Sequence, residues 1–552
     1  MRKKEVNIIH KRLIQLAFIT LFAFMLLSAR LYWIQIKSHD RFRTEALRQR
    51  SEEISLYPHR GTIYDRNLIP LTNANKKSTL LVFREKIISD RKLVDFIIKN
   101  TNLTYSDLMG YASFKGKIVS IPLNEKIDTI PNSKDIFVTE RVTRYSDENL
   151  LSHVIGYINK SENRGEYGIE KVYDDILVNQ SKKNYLYLEI DDRQNVFLGG
   201  EYQVHSNVNS LEPSGVKLTI DYHIQRIAED IMDKHNVNGA VIVAEVDSGD
   251  IVALVSRPNF DQDNIGEYLE KDDMTLYNKA IQVGYPPGSL FKIVVLLAAL
   301  EENIEYLDRI FYCSGYERVG NVVISCNNTE GHGYIDINEA FSLSCNSAFI
   351  QLGKEIGSQK IINMAKKLGF GDKINIGLLE EIKGNIPVGE EIQGPAIGNI
   401  SIGQGSIEVT PLQITNLMMI IANNGVRKGL SIVDGITSED GRMIKPYQRQ
   451  EEIRILSRET CNLVKEFLVD VVNYGTAKSL DLDYLGGAAG KTGSAQAVLN
   501  GKETIHGWFT GFYPVEKPKY VITVLVEGGI SGSQSAVPIF DKLVREINKI
   551  NR

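Results

Sequence analysis

Cysteine is scarce in this chain, with four in 552 residues, too few for a disulfide scaffold. None of the nine histidines falls in a His-Glu-x-x-His pattern and no Cys-x-x-Cys pair occurs, so no structural zinc site, no other metal and no cofactor is expected. An excess of charge of one sign is missing too. The chain has 64 basic residues against 69 acidic ones, a formal net charge of -5, which leaves nothing to neutralise a run of phosphates and argues against a nucleic-acid partner. Internal repeats and low-complexity tracts are absent, and no second apolar run matches the one near the N-terminus. What is present is a chain with 43% hydrophobic residues, long enough for two or more domains with real cores.

Leu13 to Ala29 is a run of 17 uncharged, mostly apolar residues that continues past Arg30 into Leu31, Tyr32, Trp33, Ile34 and Ile36. As a helix, residues 13–36 span roughly 36 Å, enough to cross a bilayer. Arg2, Lys3, Lys4, Lys11 and Arg12 against the single acid Glu5 place residues 1–12 in the cytoplasm and the rest of the chain outside. Tyr32 and Trp33 suit the outer headgroup belt, where Arg30 can snorkel. A cleaved signal peptide is the competing reading, but the apolar region is too long and no small-x-small cleavage site follows. The expectation is therefore a single-pass anchor in the cell membrane.

Residues 37–210 are polar, with short alternations such as Thr79-Leu80-Leu81-Val82-Phe83 and Tyr185-Leu186-Tyr187-Leu188, which read as a β-rich, irregular domain. The texture changes near 205–215. Val216 to Ile220 reads as a strand, and Asp221 caps an amphipathic helix through Ile224, Ile227, Ala228 and Ile231. Ala240 to Ala244 and Ile251 to Leu254, joined at Asp247-Ser248-Gly249-Asp250, form a hairpin. Helical patterns dominate 289–425. Strands return at Ser494 to Leu499, turning at Asn500-Gly501, then at Trp508 to Tyr513 and Tyr520 to Val526, before a closing helix striped with Ile539, Phe540, Leu543, Val544, Ile547 and Ile550. Strands from both ends enclosing a helical middle imply an α+β domain over 211–552, its antiparallel sheet assembled from distant segments.

Three short motifs carry chemistry. Pro286-Pro287-Gly288-Ser289-Leu290-Phe291-Lys292 makes a sharp entry into helix material, so Ser289 sits at a helix N-terminus with Lys292 on the same face, a nucleophile within reach of a proton acceptor. Two further Ser-x-x-Lys strings, Ser89 to Lys92 and Ser214 to Lys217, are decoys, the first hydrophilic and the second leading into a strand. Ser344-Cys345-Asn346, embedded among Phe341, Leu343, Ala348 and Phe349, offers a hydroxyl relay and a side-chain amide. The same tripeptide at Ser325-Cys326-Asn327 lies in a loop-like context. Lys491-Thr492-Gly493-Ser494 follows Gly486-Gly487-Ala488-Ala489-Gly490, where small residues let a ligand lie along a strand and Lys491 with two hydroxyls suits a carboxylate.

In this order the three motifs resemble those of the penicillin-binding proteins and class A β-lactamases. The whole chain is similar to a class B penicillin-binding protein, with further matches at Pro58-x-Arg60-Gly61-x-Ile63-x-Asp65-Arg66-Asn67, Arg144-Tyr145, His153 to Tyr157, Gly165-x-x-Gly168-Ile169-Glu170, Leu218 to Asp221, Gly331-His332-Gly333, Gly403-Gln404-Gly405 and Thr410 to Gln413. The resemblance implies a transpeptidase fold, an antiparallel sheet with helices on both faces, plus the N-terminal pedestal and one transmembrane helix. It implies that Ser289 attacks the D-Ala-D-Ala end of a peptidoglycan stem peptide and that β-lactams inhibit by acylating it. Lys292 is then the general base, Ser344 the relay to the leaving amine and Asn346 the orienter of the substrate amide. Lys491, Thr492 and Ser494 hold the terminal carboxylate at Gly493, and the N–H groups of Ser289 and Ser494 form the oxyanion hole. Ser494 replaces a threonine more usual in the family. A separate polytopic membrane glycosyltransferase is the implied partner.

The alternatives are a β-lactamase or β-lactam sensor and a non-catalytic scaffold of the cell-wall complex. A lactamase needs no long domain between anchor and catalytic part and would carry a Glu-x-x-Leu-Asn motif, absent here; a scaffold needs no intact motifs. A bifunctional enzyme would need a glycosyltransferase glutamate motif, not found in 37–210. In an oxidising compartment Cys313 and Cys326 are a candidate disulfide, with two buried thiols the equal alternative. Cys345 and Cys461 have no evident role.

Overall fold

The computed structural model describes residues 2–39, 41–42, 45, 51–55, 60–101, 103–112, 118–123, 136–178, 185–189, 212–271, 273–499 and 501–550. Two compact units are built from interleaved stretches of chain. One comprises Met1–His59, Lys76–Thr143 and Ser181–Val208; the other comprises Arg60–Asn75, Arg144–Gln180 and Asn209–Arg552. The expected change of domain near 205–215 lies mostly outside the described residues, as does Asn500 of the expected hairpin turn.

In the first unit, helix Arg2–Tyr32 runs on as a wider turn over Trp33–Lys37. Its His10–Lys37 stretch is long and apolar enough to cross a membrane, and its Leu, Ile and Phe side chains are exposed. Strand Lys76–Phe83 pairs antiparallel with Ile118–Pro122 on one side and Ile136–Val142 on the other. Leu80, Val82, Val119 and Ile121 of this sheet share a core with Ile87, Leu93, Val94, Ile97 and Leu108 from helices Arg84–Ser89, Arg91–Asn100 and Tyr105–Ala112. These helices accompany the strands that the alternation revealed. Asp90 caps the second helix by accepting from the Lys92 and Leu93 amides. A separate ladder joins Ser51–Ser55 to Tyr185–Glu189.

The second unit is organised by a five-stranded antiparallel sheet of β1 (Gly239–Glu245), β2 (Ile251–Arg257), β3 (Ala489–Leu499), β4 (Lys502–Tyr513) and β5 (Tyr520–Gly529), in the order β2-β1-β5-β4-β3. Pairing of the early hairpin with the late strands joins the two ends of the domain, as Ala240↔Leu525 and Val241↔Val524 record. Helices α1 (Tyr222–His235), α2 (Lys292–Glu302), α3 (Asn346–Ile356), α4 (Pro411–Ala422), α5 (Arg458–Asn473) and α6 (Val537–Ile550) surround it. Adjacent strand residues point to opposite faces, so neighbours on β4 identify the two layers. Phe509 meets Phe540 of α6 with ring centroids 4.6 Å apart, while Thr510 shares Thr523 with Thr415 of α4. Helices therefore cover both faces. Wholly buried α4 starts in a capping box formed by Thr410 and Gln413, and α1 is capped by Asp221 as its sequence requires. Four short strands, Ile310–Cys313, Tyr316–Val319, Val322–Ser325 and Gly333–Asp336, interrupt the stretch where helical patterns were expected to dominate. They pair as two small ladders, and the turns between them decide where the cysteines fall.

Candidate active site

Ser289 lies in a single 3-10 turn, Gly288–Phe291, that leads into α2, so the helix-entry expectation holds with a tighter first turn. Gly288 takes φ +54 there and donates its N–H to Gly403 O at 2.9 Å. The entry is held from behind. Trp508 Nε1 donates to Pro286 O at 3.2 Å, and Tyr285 donates to Glu527 at 2.6 Å, with Lys279 on the other Glu527 oxygen at 2.5 Å. Sequence reasoning missed Tyr285, Glu527 and Lys279, because 242 residues separate Tyr285 from the carboxylate that holds it.

Lys292 opens α2 and is wholly buried. Its ammonium donates to Ser344 O at 2.6 Å, Ser344 Oγ at 3.2 Å and Asn346 Oδ1 at 2.8 Å, so the first two motifs meet at one nitrogen. Burial pushes its pKa down to about 8, partly opposed by the Cys345 and Cys326 sulfurs. Ser344 adopts φ +59, a left-handed conformation that costs a non-glycine residue energy and aims both backbone carbonyl and hydroxyl at the lysine. Asn346 begins α3 and donates from its amide to Ser325 O at 3.0 Å.

The third motif lies on edge strand β3. Gly493 pairs with Trp508, and a Cβ there would come within 3.0 Å of Leu290 and 3.1 Å of Pro287 O, so strand and nucleophile turn are in direct contact. Lys491 pairs with Thr510 and is wholly buried, 5.4 Å from the Phe341 ring. Its Nζ has no hydrogen-bond partner among the described residues. Burial, then repulsion from Lys292, holds its pKa well below the usual lysine range. Repulsion between the two lysines thus falls on Lys491, while the Lys292 ammonium is held by three oxygen acceptors. Thr492 is buried with its hydroxyl 2.5 Å from that of Thr476, and exposed Ser494 accepts from Gly532 N–H at 3.1 Å. Ser289, Lys292, Ser344, Asn346, Lys491, Thr492, Gly493 and Ser494 are thereby gathered around one turn and one strand edge.

Neither decoy string places its serine and lysine on one helix turn. Ser89 ends one helix and Lys92 lies in the next, while Lys217 sits on a strand and pairs with Asp434 at 2.9 Å. Ser325-Cys326-Asn327 is not an independent element, since Ser325 O accepts from Asn346 and Asn327 Nδ2 donates to Leu343 O at 3.0 Å. Cys313 and Cys326 are both free and buried, without the candidate disulfide. Cys345 has the role its sequence did not reveal: it caps α3, its sulfur accepting from Ala348 N–H at 3.4 Å. Cys313, Cys326, His332 and Cys345 bring their ligand atoms within 4.8 Å of one another. Their spacings match no short zinc motif, which is why composition and pattern passed over them.

Residues 239–545 match the penicillin-binding protein transpeptidase domain. Across 99% of this chain, 28% identity relates it to stage V sporulation protein D of Bacillus subtilis, 86% of which is covered. The peptidoglycan D,D-transpeptidase MrdA of Escherichia coli K12 is 25% identical over 94% of this chain and 90% of its own length. Among solved structures, penicillin-binding protein PBP2 of Helicobacter pylori, seen in complex with MreC, shares the fold with a TM-score of 0.65, 23% identity and coverage of 91% and 99%. A peptidoglycan synthase complex coordinating polymerization and crosslinking contains a chain with a TM-score of 0.67, 23% identity and coverage of 97% and 98%. The chain belongs to the penicillin-binding protein transpeptidase family, in its class B branch.

Proposed function

We propose that this chain is a serine-type peptidoglycan D,D-transpeptidase that crosslinks stem peptides through an acyl-enzyme on Ser289. The observation that carries the reading is the meeting of Lys292 with Ser344 and Asn346 at hydrogen-bond distance, directly behind a serine turn that rests on the Lys491–Ser494 strand. Ser289 Oγ attacks the carbonyl of the penultimate D-Ala and gives its proton to neutral Lys292. Ser344 relays a proton to the leaving D-Ala amine, and Asn346 orients the substrate amide. The N–H groups of Ser289 and Ser494 receive the developing oxyanion, worth about 3 to 4 kcal/mol per donor. Lys491, Thr492 and Ser494, joined by the Thr476 hydroxyl, take the terminal carboxylate. An amine of a second stem peptide then attacks the ester, releasing Ser289 and forming the crosslink. β-Lactams, which mimic the D-Ala-D-Ala end, acylate the same hydroxyl.

The reading extends to placement and partner. Residues 13–36 anchor the protein, with 1–12 in the cytoplasm and the rest outside, the pedestal lying within 37–210 and the chemistry within 211–552. A polytopic membrane glycosyltransferase supplies the glycan strands, a pairing supported by the related chain found in a synthase complex that coordinates polymerization with crosslinking. The test is covalent labelling with a fluorescent penicillin. Wild type labels and holds the adduct for many minutes, and Ser289→Ala abolishes labelling. Undiminished labelling of Ser289→Ala would overturn the assignment; rapid release from wild type would favour a β-lactamase.

A further inference from the structure

Three residues separate Tyr285 from Ser289, and two of them are prolines. Pro286 and Pro287 fix φ, so the link is stiff and whatever holds Tyr285 also holds the serine turn. Tyr285 is restrained at backbone, ring and hydroxyl. Its N–H donates to Val409 O and its carbonyl accepts from Val409 N–H, both at 2.9 Å. Its buried ring meets those of His506 and Trp508 edge-on, with centroids 5.4 and 6.0 Å away. Its hydroxyl donates to one oxygen of Glu527 at 2.6 Å.

Glu527 stands on β5 with its side chain only 6% exposed, and Lys279, 3% exposed, donates to its second oxygen at 2.5 Å. The Lys279 N–H donates to Ser256 Oγ on β2 at 3.0 Å, and the Glu527 N–H to Asn238 O at 2.9 Å, so both members of the pair are tied to the sheet. As a source of stability a buried ion pair is poor, because desolvating both charges offsets most of their attraction. What this one supplies is direction. Two oxygens, each with its own donor, leave the carboxylate a single orientation and the Tyr285 hydroxyl a single position.

We infer that Glu527, oriented by Lys279, is a positioning residue for acyl transfer: through the Tyr285 hydroxyl and the Pro286-Pro287 link it sets where Ser289 Oγ stands relative to Lys292 and the β3 edge. This role rests on the Ser289 reading of the site and gives a part in the reaction to residues outside the three motifs. Attack on a bound carbonyl tolerates little error, and a displacement of about 1 Å caused by a remote change can cost about 10²-fold in rate. The Gly288 N–H still holds the turn to Gly403 O at 2.9 Å, so breaking the latch loosens the turn on one side without releasing it.

The test is stopped-flow acylation of the full-length chain, purified in detergent, by a fluorescent penicillin. It separates the dissociation constant of the first complex, the acylation rate constant and the burst amplitude. Tyr285→Phe keeps the ring and removes only the hydroxyl; it is expected to lower the rate constant about tenfold and to leave the dissociation constant within about twofold. Glu527→Ala combined with Lys279→Met removes the acceptor without burying a lone ammonium, and should slow acylation to the same extent. Adding Tyr285→Phe to that pair should cost less than about twofold more, since both changes break one path. Glu527→Gln with Lys279→Met, whose amide still holds the Tyr285 hydroxyl, should return the rate constant to within about threefold of wild type. Misfolding lowers the amplitude and spares the rate constant of the molecules that react, so losses in amplitude alone would mark a merely structural latch and overturn the inference. A Tyr285→Phe rate constant equal to wild type, a loss confined to the dissociation constant, or independent losses that multiply in the combined variant would overturn it as well. Wild type that takes no label would instead remove the Ser289 reading, and this role with it.

Discussion

At the residue scale, the central quantity is where one positive charge resides between two buried lysines. Lys292 and Lys491 are both wholly buried, and burial disfavours the ammonium form of each. Lys292 has three oxygen acceptors and a pKa of about 8, so at neutral pH it is mostly protonated, and its charge helps to hold the pKa of Lys491 well below the usual lysine range. In the proposed reaction Lys292 can accept the Ser289 proton only when neutral. A base that must lose a proton to act becomes more abundant as pH rises, so the initial rate of penicillin acylation is expected to climb through about pH 8 and level off above it. A substrate carboxylate beside Lys491 draws the charge to that lysine and frees Lys292, shifting the midpoint downward in the presence of a non-acylating carboxylate ligand. Lys292→Arg keeps the cation and cannot deprotonate, so labelling should fall by roughly 10² to 10⁴. A flat pH profile, or an active arginine variant, would remove Lys292 from the base role.

At the scale of elements, the site depends on backbone approach that side chains would spoil. A Cβ on Gly288 would lie 2.7 Å from Ser494 O, and φ is +54, so Gly288→Ala combines a backbone clash with the cost of a left-handed alanine, about 1 kcal/mol or more. Expected are a lower unfolding midpoint and slower acylation, measured by thermal denaturation and labelling on the same preparation. A second prediction concerns Glu170 of helix Gly168–Val172, which accepts from Arg60 at 2.8 Å and Arg144 at 2.7 Å in a buried cluster. Glu170→Ala takes a carboxylate from two buried guanidinium groups, leaving Arg60 with Asp174 at 2.8 Å, and should cost about 3 kcal/mol by denaturant unfolding. The three motifs were legible because each is a contiguous string and their order resembles that of a known family, while Pro, Gly and apolar spacing gave only the local structure around them. The Tyr285–Glu527–Lys279 latch and the Cys313–Cys326–His332–Cys345 cluster were not, since their members meet only after distant ladders form. Periodicity reports which face of an element is buried, and says nothing of what lies across from it.

At the scale of the whole molecule, the same limit explains why strand and helix positions of the catalytic sheet followed the sequence while the grouping of segments did not. Arg60–Asn75 and Arg144–Gln180 belong with the larger unit, yet their composition resembles that of the polar stretch around them. Anchor and chemistry are also divided between units: the apolar helix belongs to one, and every residue assigned to acyl transfer belongs to the other. Substrate for the proposed reaction lies outside the cytoplasmic membrane, so orientation of the helix decides whether the site can work at all. The basic residues ahead of position 13 favour retention of the N-terminus in the cytoplasm. With an epitope tag fused before residue 1, intact spheroplasts treated with external protease should keep a small tagged fragment and lose the penicillin-labelled body, and the protein should resist carbonate extraction. Loss of the tag with survival of the body would reverse the topology and remove the enzyme from its substrate.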